Sequence, residues 1–433
     1  MEANNKMETP SRRELLLGAL ALGAGPLLGC AASPTGPGLG RVVVVGAGFG
    51  GATAARYLKL WGGNIEVTLV DRNPAFVSCP LSNLVLGGHR QMADITRDYA
   101  GLDALGVRRI QAEVAAIDAD ARQVRLADGT RLTYDRLVLS PGVDFMADTV
   151  DGLRPALDSG QVLHAWKAGP QTLALRRRLE ALPDGGVVAM TVPKAPYRCP
   201  PGPYERACMI ASYLKQAKPR AKLLVLDANP EIQSKKALFE RAFKTHYADQ
   251  LEYRPNAELK ELAEGGRLAR LEFEDVRADL FNVIPPQRAA DLALAAGVVN
   301  VNQRWAAVNW LTLESTAVPG LHVLGDALFP GPGMPKSGHM ANQQAKLAAA
   351  AIIQLLKGEA VNPTPVLMNT CYSFVTAQDV IHVASVHQYD AAERGFKPVA
   401  GAGGVSESAS ALEGRYAQSW AYNIWDDMLG GKT

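Results

Sequence analysis

Apolar residues recur along this chain as short, continuous runs bounded by turn residues, the pattern of strands buried on both faces of a parallel sheet. Such runs fall at 41–45, 66–70, 137–139, 187–192, 222–226 and 321–324. Between them, longer stretches rich in alanine and leucine predict helices at 52–60, 205–216 and 338–356. Strands alternating with helices argue for an α/β protein built on parallel sheets.

The first of these units has an informative order. The strand at 41–45 runs straight into Gly46-Ala47-Gly48-Phe49-Gly50-Gly51, then the helix at 52–60, then a strand that ends in Asp71. Gly46 permits a tight turn, Gly48 lets the backbone approach a pyrophosphate, and Gly51 lets helix and strand pack closely. The helix N-terminus supplies free N–H groups and partial positive charge for phosphates. Asp71 is placed to accept hydrogen bonds from an adenosine ribose. The glycine turn alone does not choose between FAD and NAD. Leu321-His322-Val323-Leu324-Gly325-Asp326 is an apolar strand ending in a carboxylate, and it resembles the second FAD fingerprint of flavoproteins with two dinucleotide domains. Leu137-Val138-Leu139-Ser140-Pro141-Gly142 resembles their intermediate motif, with Gly142 at its end. Three motifs in this order favour FAD.

In such flavoproteins a second domain of the same kind binds NAD(P)H. Its first strand is expected at 187–192, but Pro193-Lys194-Ala195-Pro196-Tyr197-Arg198-Cys199-Pro200-Pro201-Gly202-Pro203 follows in place of a glycine turn. Proline has no N–H to give a phosphate. The scaffold is expected to persist without a nicotinamide site, so electrons must come from something other than NAD(P)H.

Composition narrows the picture. Across 433 residues the chain is 48% hydrophobic and 20% charged, with a net charge of +2, as in ordinary globular proteins. No long Lys/Arg block is present, and no nucleic-acid partner is expected. Ser11-Arg12-Arg13-Glu14-Leu15-Leu16 and the weakly apolar stretch 15–28 resemble a twin-arginine export signal, which implies a periplasmic protein. Cys30 follows Leu28-Gly29 in a context that also resembles a lipoprotein acylation box; a soluble mature protein is the favoured reading. After this segment no run of about eighteen apolar residues suggests a transmembrane helix. Seven histidines form no ligand-spaced cluster, so no metal site is expected, and no Cys-x-x-Cys-His motif occurs, so the chain carries no c-type haem of its own. Beyond the leader lie Cys79, Cys199, Cys208 and Cys371, and an oxidising compartment permits several pairings.

A specific family resemblance rests on four segments: Tyr197-Arg198-Cys199-Pro200-Pro201-Gly202-Pro203-Tyr204-Glu205-Arg206-Ala207; Ile284-Pro285-Pro286-Gln287-Arg288; Met334-Pro335-Lys336-Ser337-Gly338 with Ala341-Asn342; and Asn369-Thr370-Cys371-Tyr372-Ser373. They resemble the flavoprotein subunit of flavocytochrome c sulfide dehydrogenase, a relative of the sulfide:quinone oxidoreductases. The resemblance runs from about Arg41 to the C-terminus. It implies FAD bonded covalently through Cys79, a redox-active disulfide of Cys199 and Cys371, Glu205 as a proton acceptor beside it, and Trp420 close to the flavin. It also implies sulfide as substrate and a separate c-type cytochrome subunit as electron acceptor. Lys336, ahead of the 338–356 helix, is expected to stabilise negative charge on the reduced ring. Cys208 reads as a core residue. Residues 401–409 read as small and flexible, and the aromatics Tyr416, Trp420, Tyr422 and Trp425 as core or as cover for the flavin.

The implied architecture is α/β: two Rossmann-like dinucleotide-binding-type domains of the disulfide-reductase kind plus a C-terminal α+β interface domain. Its segments are a leader at 1–32, a linker at 33–40, the FAD domain at 41–155 and 278–360, the second Rossmann-like domain at 156–277, and the C-terminal domain at 361–433. A sulfide:quinone reductase is one alternative reading of function. A non-catalytic flavoprotein accessory of a sulfur-oxidising complex is the other.

Overall fold

A computed structural model describes residues 38–430. The leader at 1–32 with Cys30, and the linker as far as 37, lie outside the described residues. Strand β1 (Gly40–Val45) is followed by helix α1 (Phe49–Gly62) and strand β2 (Ile65–Asp71), and the sheet grows by β3 (Arg108–Gln111) beside β2 and β4 (Arg136–Leu139) on the other side of β1. All these pairs are parallel, with Val45 opposite both Val70 and Leu139. Val42, Val43, Val44 and Val45 are all buried. That explains why this strand reads as an unbroken apolar run: a parallel sheet is covered on both faces.

The second sheet repeats the plan. Strand β5 (Val187–Val192), helix α2 (Gly202–Ala217), strand β6 (Lys222–Asp227), helix α3 (Lys236–His246) and strand β7 (Leu251–Arg254) are followed by β8 (Leu280–Val283). The strand order is β7-β6-β5-β8, all parallel. The domain boundary expected at 277 therefore moves. Strand β8 lies beyond it yet pairs with β5, and all four of its residues are buried, so the sheet is completed only by this later strand.

The chain then returns to the first sheet, where β9 (Leu321–Val323) pairs in parallel with β4. Helix α4 (Gly338–Lys357) packs on α1, fastened where Asn342 Nδ2 donates to Thr53 Oγ1 at 3.0 Å. Gly338 permits this approach, because a Cβ there would lie 2.8 Å from the Phe49 ring. A final antiparallel sheet is led by β10 (Val366–Phe374) and β11 (Val380–Asp390), and helix α5 (Ala411–Leu429) lies against it. The sheets form one compact unit.

The segment expected to be flexible at 401–409 is instead tied down. Gly404–Val405 pairs with β11, and Ser406 Oγ donates to Glu413 Oε2 at 2.6 Å while accepting from the His382 N–H at 2.7 Å. Its small residues serve close approach: a Cβ on Gly403 would lie 2.4 Å from the Ala384 carbonyl oxygen. Helix α5 also reaches the first sheet's loops, since Trp425 Nε1 donates to Ser78 Oγ at 3.1 Å, beside Cys79. Trp425 is thus core, whereas Tyr416 is half exposed. Among the described residues no helix is long and apolar enough to cross a membrane, and no group of three or more His, Cys, Asp or Glu could hold a metal ion.

Candidate functional site

A cavity of about 1090 Å³ opens where the carboxyl ends of the first sheet's strands meet the second and third sheets. Gly46, Gly48, Asp71, Cys79, Gly142, Cys199, Glu205, Asp326, Cys371 and Trp420 all line it. It exceeds the roughly 300–1,000 Å³ of common small-molecule pockets, as a dinucleotide requires.

The glycine turn is built for close approach. Gly46 has φ +94°, and a Cβ there would lie 2.3 Å from the Ser140 carbonyl oxygen. Gly51 lies behind the cavity wall, where a Cβ would fall 1.7 Å from the Gly46 carbonyl oxygen. No protein atom would crowd a Cβ on Gly48, which faces the cavity, so glycine at 48 leaves room for a ligand rather than for the fold. The first-turn N–H groups of α1, which lack intrahelical acceptors, open beside it. Asp71 is partly committed to the turn: Oδ2 accepts from Ala47 N at 2.6 Å, and Oδ1 accepts from Asn73 N and Nδ2. A carboxylate offers about four acceptor positions, so capacity toward a ribose remains.

Asp326 supplies a further test of fit. Its Oδ1 is buried without a hydrogen-bond partner, on the wall of the cavity. Such an atom is unfavourable unless a ligand donor completes it. Burial raises the Asp326 pKa, against the opposing attraction of Arg198 and Lys336. The turn, the open face of Gly48 and the orphaned Asp326 oxygen together fit FAD.

Lys336, just ahead of α4, is held by protein groups. Its Nζ donates to the carbonyl oxygens of Asp326 and Leu328 and lies 3.6 Å from the centroid of the Trp305 ring. The side chain is absent from the cavity wall. Two carbonyls and an aromatic face hold the ammonium inside the protein, where it braces the Asp326 turn. Burial lowers its pKa to about 7.

Cys199 and Cys371 lie on the side of the cavity formed by the second and third sheets. Cys199 takes the left-handed conformation, φ 58°, and its N–H donates to the Lys336 carbonyl at 2.8 Å. Gly202, the first residue of α2, makes room for it: a Cβ there would lie 2.9 Å from Cys199 Sγ. Cys371 comes from β10, and Asn369 Nδ2 donates to its sulfur at 3.4 Å. Cys79, Cys199, Cys208 and Cys371 are all thiols in this structure. Burial pushes the Cys199 thiol far up, reinforced by Cys371 and Glu205, and raises Cys371 as well, there opposed by Lys235. Cys208 is fully buried in α2.

Glu205, in the first turn of α2, accepts from Asn83 Nδ2 at 2.7 Å and from Phe374 N at 2.9 Å. Burial raises its pKa, a shift in the direction that favours taking up a proton. Asn83 also accepts from Arg206 Nε at 3.2 Å, so one amide orders both charged groups. Arg206 is held by the His164 and Ala165 carbonyls and by Asn282, and burial lowers its pKa to about 9. Arg198 Nη2 donates to the Trp166 carbonyl, and its charge faces Cys79, Asp326 and Cys199. Asn83, Arg198, Arg206 and Lys235 had no role in the sequence reading. The runs holding the first three were noticed for their cysteines and glutamate, but their convergence needs the fold.

The second sheet has a counterpart of Asp71 with different surroundings. Strand β6 ends in Asp227 as β2 ends in Asp71, but Asp227 is fully buried. Its Oδ2 accepts from Tyr204 Oη at 2.7 Å and Tyr253 Oη at 2.9 Å, and Oδ1 accepts from Asn229. Tyr197 Oη lies 3.4 Å from Tyr204 Oη. Tyrosine hydroxyls thus occupy Asp227, the counterpart in the second sheet of Asp71.

Comparison with known proteins agrees with this geometry. Residues 40–177 match the pyridine nucleotide-disulphide oxidoreductase family model. Residues 172–285 match the central region of the sulfide dehydrogenase [flavocytochrome c] flavoprotein chain, and 363–429 match the flavocytochrome c sulphide dehydrogenase flavin-binding model. The chain is 60% identical over 45 residues to a sulfide dehydrogenase [flavocytochrome c] flavoprotein chain of Chlorobaculum thiosulfatiphilum, covering 94% of that sequence and 10% of this one. It is 25% identical over 309 residues to the mitochondrial sulfide:quinone oxidoreductase of Mus musculus, which takes in 66% of this chain and 65% of the mouse protein. The match to the corresponding Dictyostelium discoideum protein takes in 39% of that protein. In fold, the sulfide:quinone oxidoreductase of Aquifex aeolicus superposes with a TM-score of 0.73 at 20% identity, over 90% of this chain and 92% of the other. By its two family-specific regions and its identity to the Chlorobaculum chain, this protein belongs to the family of flavocytochrome c sulfide dehydrogenase flavoprotein chains.

Proposed function

We propose that this protein oxidises sulfide through a redox-active Cys199–Cys371 pair, transfers the electrons to FAD and passes them to a separate c-type cytochrome. The observation that carries this reading is the convergence of Cys199, from the loop after β5, and Cys371, from β10, on the cavity that holds the glycine turn and Asp326.

The chemistry follows from the side chains. Hydrosulfide attacks one sulfur of the Cys199–Cys371 disulfide; a new S–S bond forms, the old one breaks, and the other cysteine leaves as a thiolate. The substrate proton goes to Glu205, whose raised pKa suits it to hold one. Removing two electrons from the thiolate and the persulfide anion joins them through the added sulfur. FAD, when bound, supplies the two-electron acceptor and can release electrons singly. Asp326 and the first turn of α1 orient it, and Cys79, facing the guanidinium of Arg198, is the proposed point of covalent attachment. Trp420, Tyr372 and His339 line both this cavity and a second recess of about 410 Å³ that opens to the surface. That shared aromatic wall supports electron exit to a partner docked outside. The twin-arginine leader supports a periplasmic location.

Steady-state oxidation of sulfide with cytochrome c or a soluble quinone analogue as acceptor tests the reading. Turnover with cytochrome c is the expected result. Turnover with the quinone alone assigns the alternative acceptor, and turnover with neither removes the catalytic reading. Acid precipitation tests the thioether: flavin colour should stay with the protein and be lost to the supernatant in Cys79→Ala.

A further inference from the structure

Lys235 stands outside the cavity wall and has no part in the chemistry above. It is 8% exposed, and three separate costs attend its position. Its backbone is left-handed, φ 57° and ψ 37°, although it is not glycine. It is the N-cap of α3, the helix end where a cation is unfavourable. Its ammonium is buried, and a buried charge is expensive unless it is paired.

The hydrogen bonds of Lys235 do not neutralise it. Nζ donates to the Cys371 carbonyl at 3.1 Å, Ser373 Oγ at 2.8 Å and the Ile381 carbonyl at 3.3 Å, all neutral acceptors. The groups around it that can become negative are Cys371, Glu205, Cys199 and Glu413. Glu413 faces His382 at 3.0 Å and accepts from Ser406. Both carboxylate oxygens of Glu205 are already engaged, by Asn83 Nδ2 and Phe374 N. The sulfurs remain, and they are not equivalent. The Cys371 sulfur has a donor in Asn369 Nδ2, and Asn369 Oδ1 in turn accepts from Ser337 Oγ at 2.6 Å, the N-cap of α4. The ammonium is held at the Cys371 carbonyl itself, at Ser373 two residues along β10, and at Ile381, which pairs with Ser373 on β11.

We propose that Lys235 is a positioning residue whose buried ammonium is the counter-charge for a sulfur anion at Cys371, so that Cys371 ionises before Cys199 in the reduced pair. Burial holds the Lys235 pKa near 8, low for a lysine yet high enough for a cation at neutral pH. The same charge, with the Asn369 and Ser337 hydrogen bonds, opposes the upward shift of Cys371; Arg198 opposes that of Cys199, which has no such hydrogen bonds and is pushed up by burial, Cys371, Glu205 and Cys79. The catalytic consequence rests on the proposed function: negative charge deposited on the pair by an attacking hydrosulfide is held at Cys371.

The test is alkylation of the reduced holoprotein with iodoacetamide across a pH series, read by mass spectrometry of the two cysteine peptides. In the native protein Cys371 should be modified at lower pH than Cys199, with buried Cys208 as an unreactive control. In K235M the Cys371 profile should move up by about one pH unit or more, a tenfold loss of rate at neutral pH, while Cys199 stays where it was. K235R, which keeps a charge, should recover part of the shift. S373A should move Cys371 in the same direction by less, and it carries the test if K235M does not fold. An unchanged Cys371 profile in K235M and S373A, or equal movement of both cysteines, overturns the proposal. Cys371-first alkylation in a protein that does not oxidise sulfide would sink the proposed function and leave this inference standing.

Discussion

In the first sheet, β1 ends at Val45 and the chain turns through Gly46, Gly48 and Gly51 into α1; in the second, β5 ends at Val192 and the chain runs through Pro193, Pro196, Cys199, Pro200 and Pro201 into α2. Each first strand pairs in parallel with a second strand that ends in an aspartate. Asp71 remains on the wall of an open cavity, whereas Asp227 is sealed by Tyr204 and Tyr253. The strand–turn–helix scaffold is therefore neutral as to chemistry, and the turn decides what it does. Where glycine exposes backbone N–H groups, the scaffold fits a pyrophosphate. Where proline removes them and a cysteine takes a left-handed backbone, the same crossing presents a sulfur to the first site's cavity.

The contrast can be broken most severely at the sulfurs. Cys199→Ser and Cys371→Ser should each lower the rate of flavin reduction by sulfide by ~10³-fold or more, with flavin content unchanged, as stopped-flow absorbance will show. Glu205→Gln should cost about 10²–10⁴-fold in the same assay, because the amide accepts no proton. On the first site, Gly51→Ala drives a Cβ into the Gly46 carbonyl. Overpacking of about 1–3 kcal/mol is expected, read as a lower denaturant midpoint together with loss of bound flavin. On the sealed site, Tyr204→Phe should cost about 1–2 kcal/mol for a buried acceptor left short of a donor and leave flavin content and sulfide-dependent reduction intact. Loss of flavin from Tyr204→Phe would mean the two sites are not independent.

The smallest effect is one of pH. His164 and His339 line the cavity, and burial lowers their pKa values to about 3 and about 4. Each accepts a backbone hydrogen bond through Nδ1, from Trp166 N and Thr370 N, and so must be neutral. The folded protein therefore binds fewer protons than the unfolded chain below the ordinary histidine value of about 6.5. Their contribution to stability is present above that value and is lost as pH falls toward about 4 and then about 3. Thermal melts of native protein and His339→Gln between neutral and acidic pH should show a shallower decline in the variant.

How much of this was legible in the sequence follows from how local each feature is. The glycine turn, its strands and α1 are contiguous, and their positions differ from expectation by only a few residues at the ends. The cysteine pair was legible only through family resemblance, since Cys199 and Cys371 come to one cavity by tertiary packing. Lys235 gave no signal, because its burial depends on β10 and β11 closing over the start of α3. Asp227 was missed although it ends a correctly placed strand; the tyrosines that seal it lie on α2 and β7. Lys336 was read by its place ahead of α4, but its rotamer is set by Trp305 and two carbonyls from elsewhere in the chain.

The central claim is that electrons enter the flavin through Cys199 and Cys371 and not through a nicotinamide at the second sheet. Anaerobic titration of the holoprotein, followed at the flavin absorbance, tests it most directly. The account predicts that sulfide bleaches the flavin in the native protein and not in Cys199→Ser or Cys371→Ser, and that NADH and NADPH leave it oxidised. Bleaching by NADH or NADPH, or bleaching by sulfide that survives the loss of either cysteine, would contradict it.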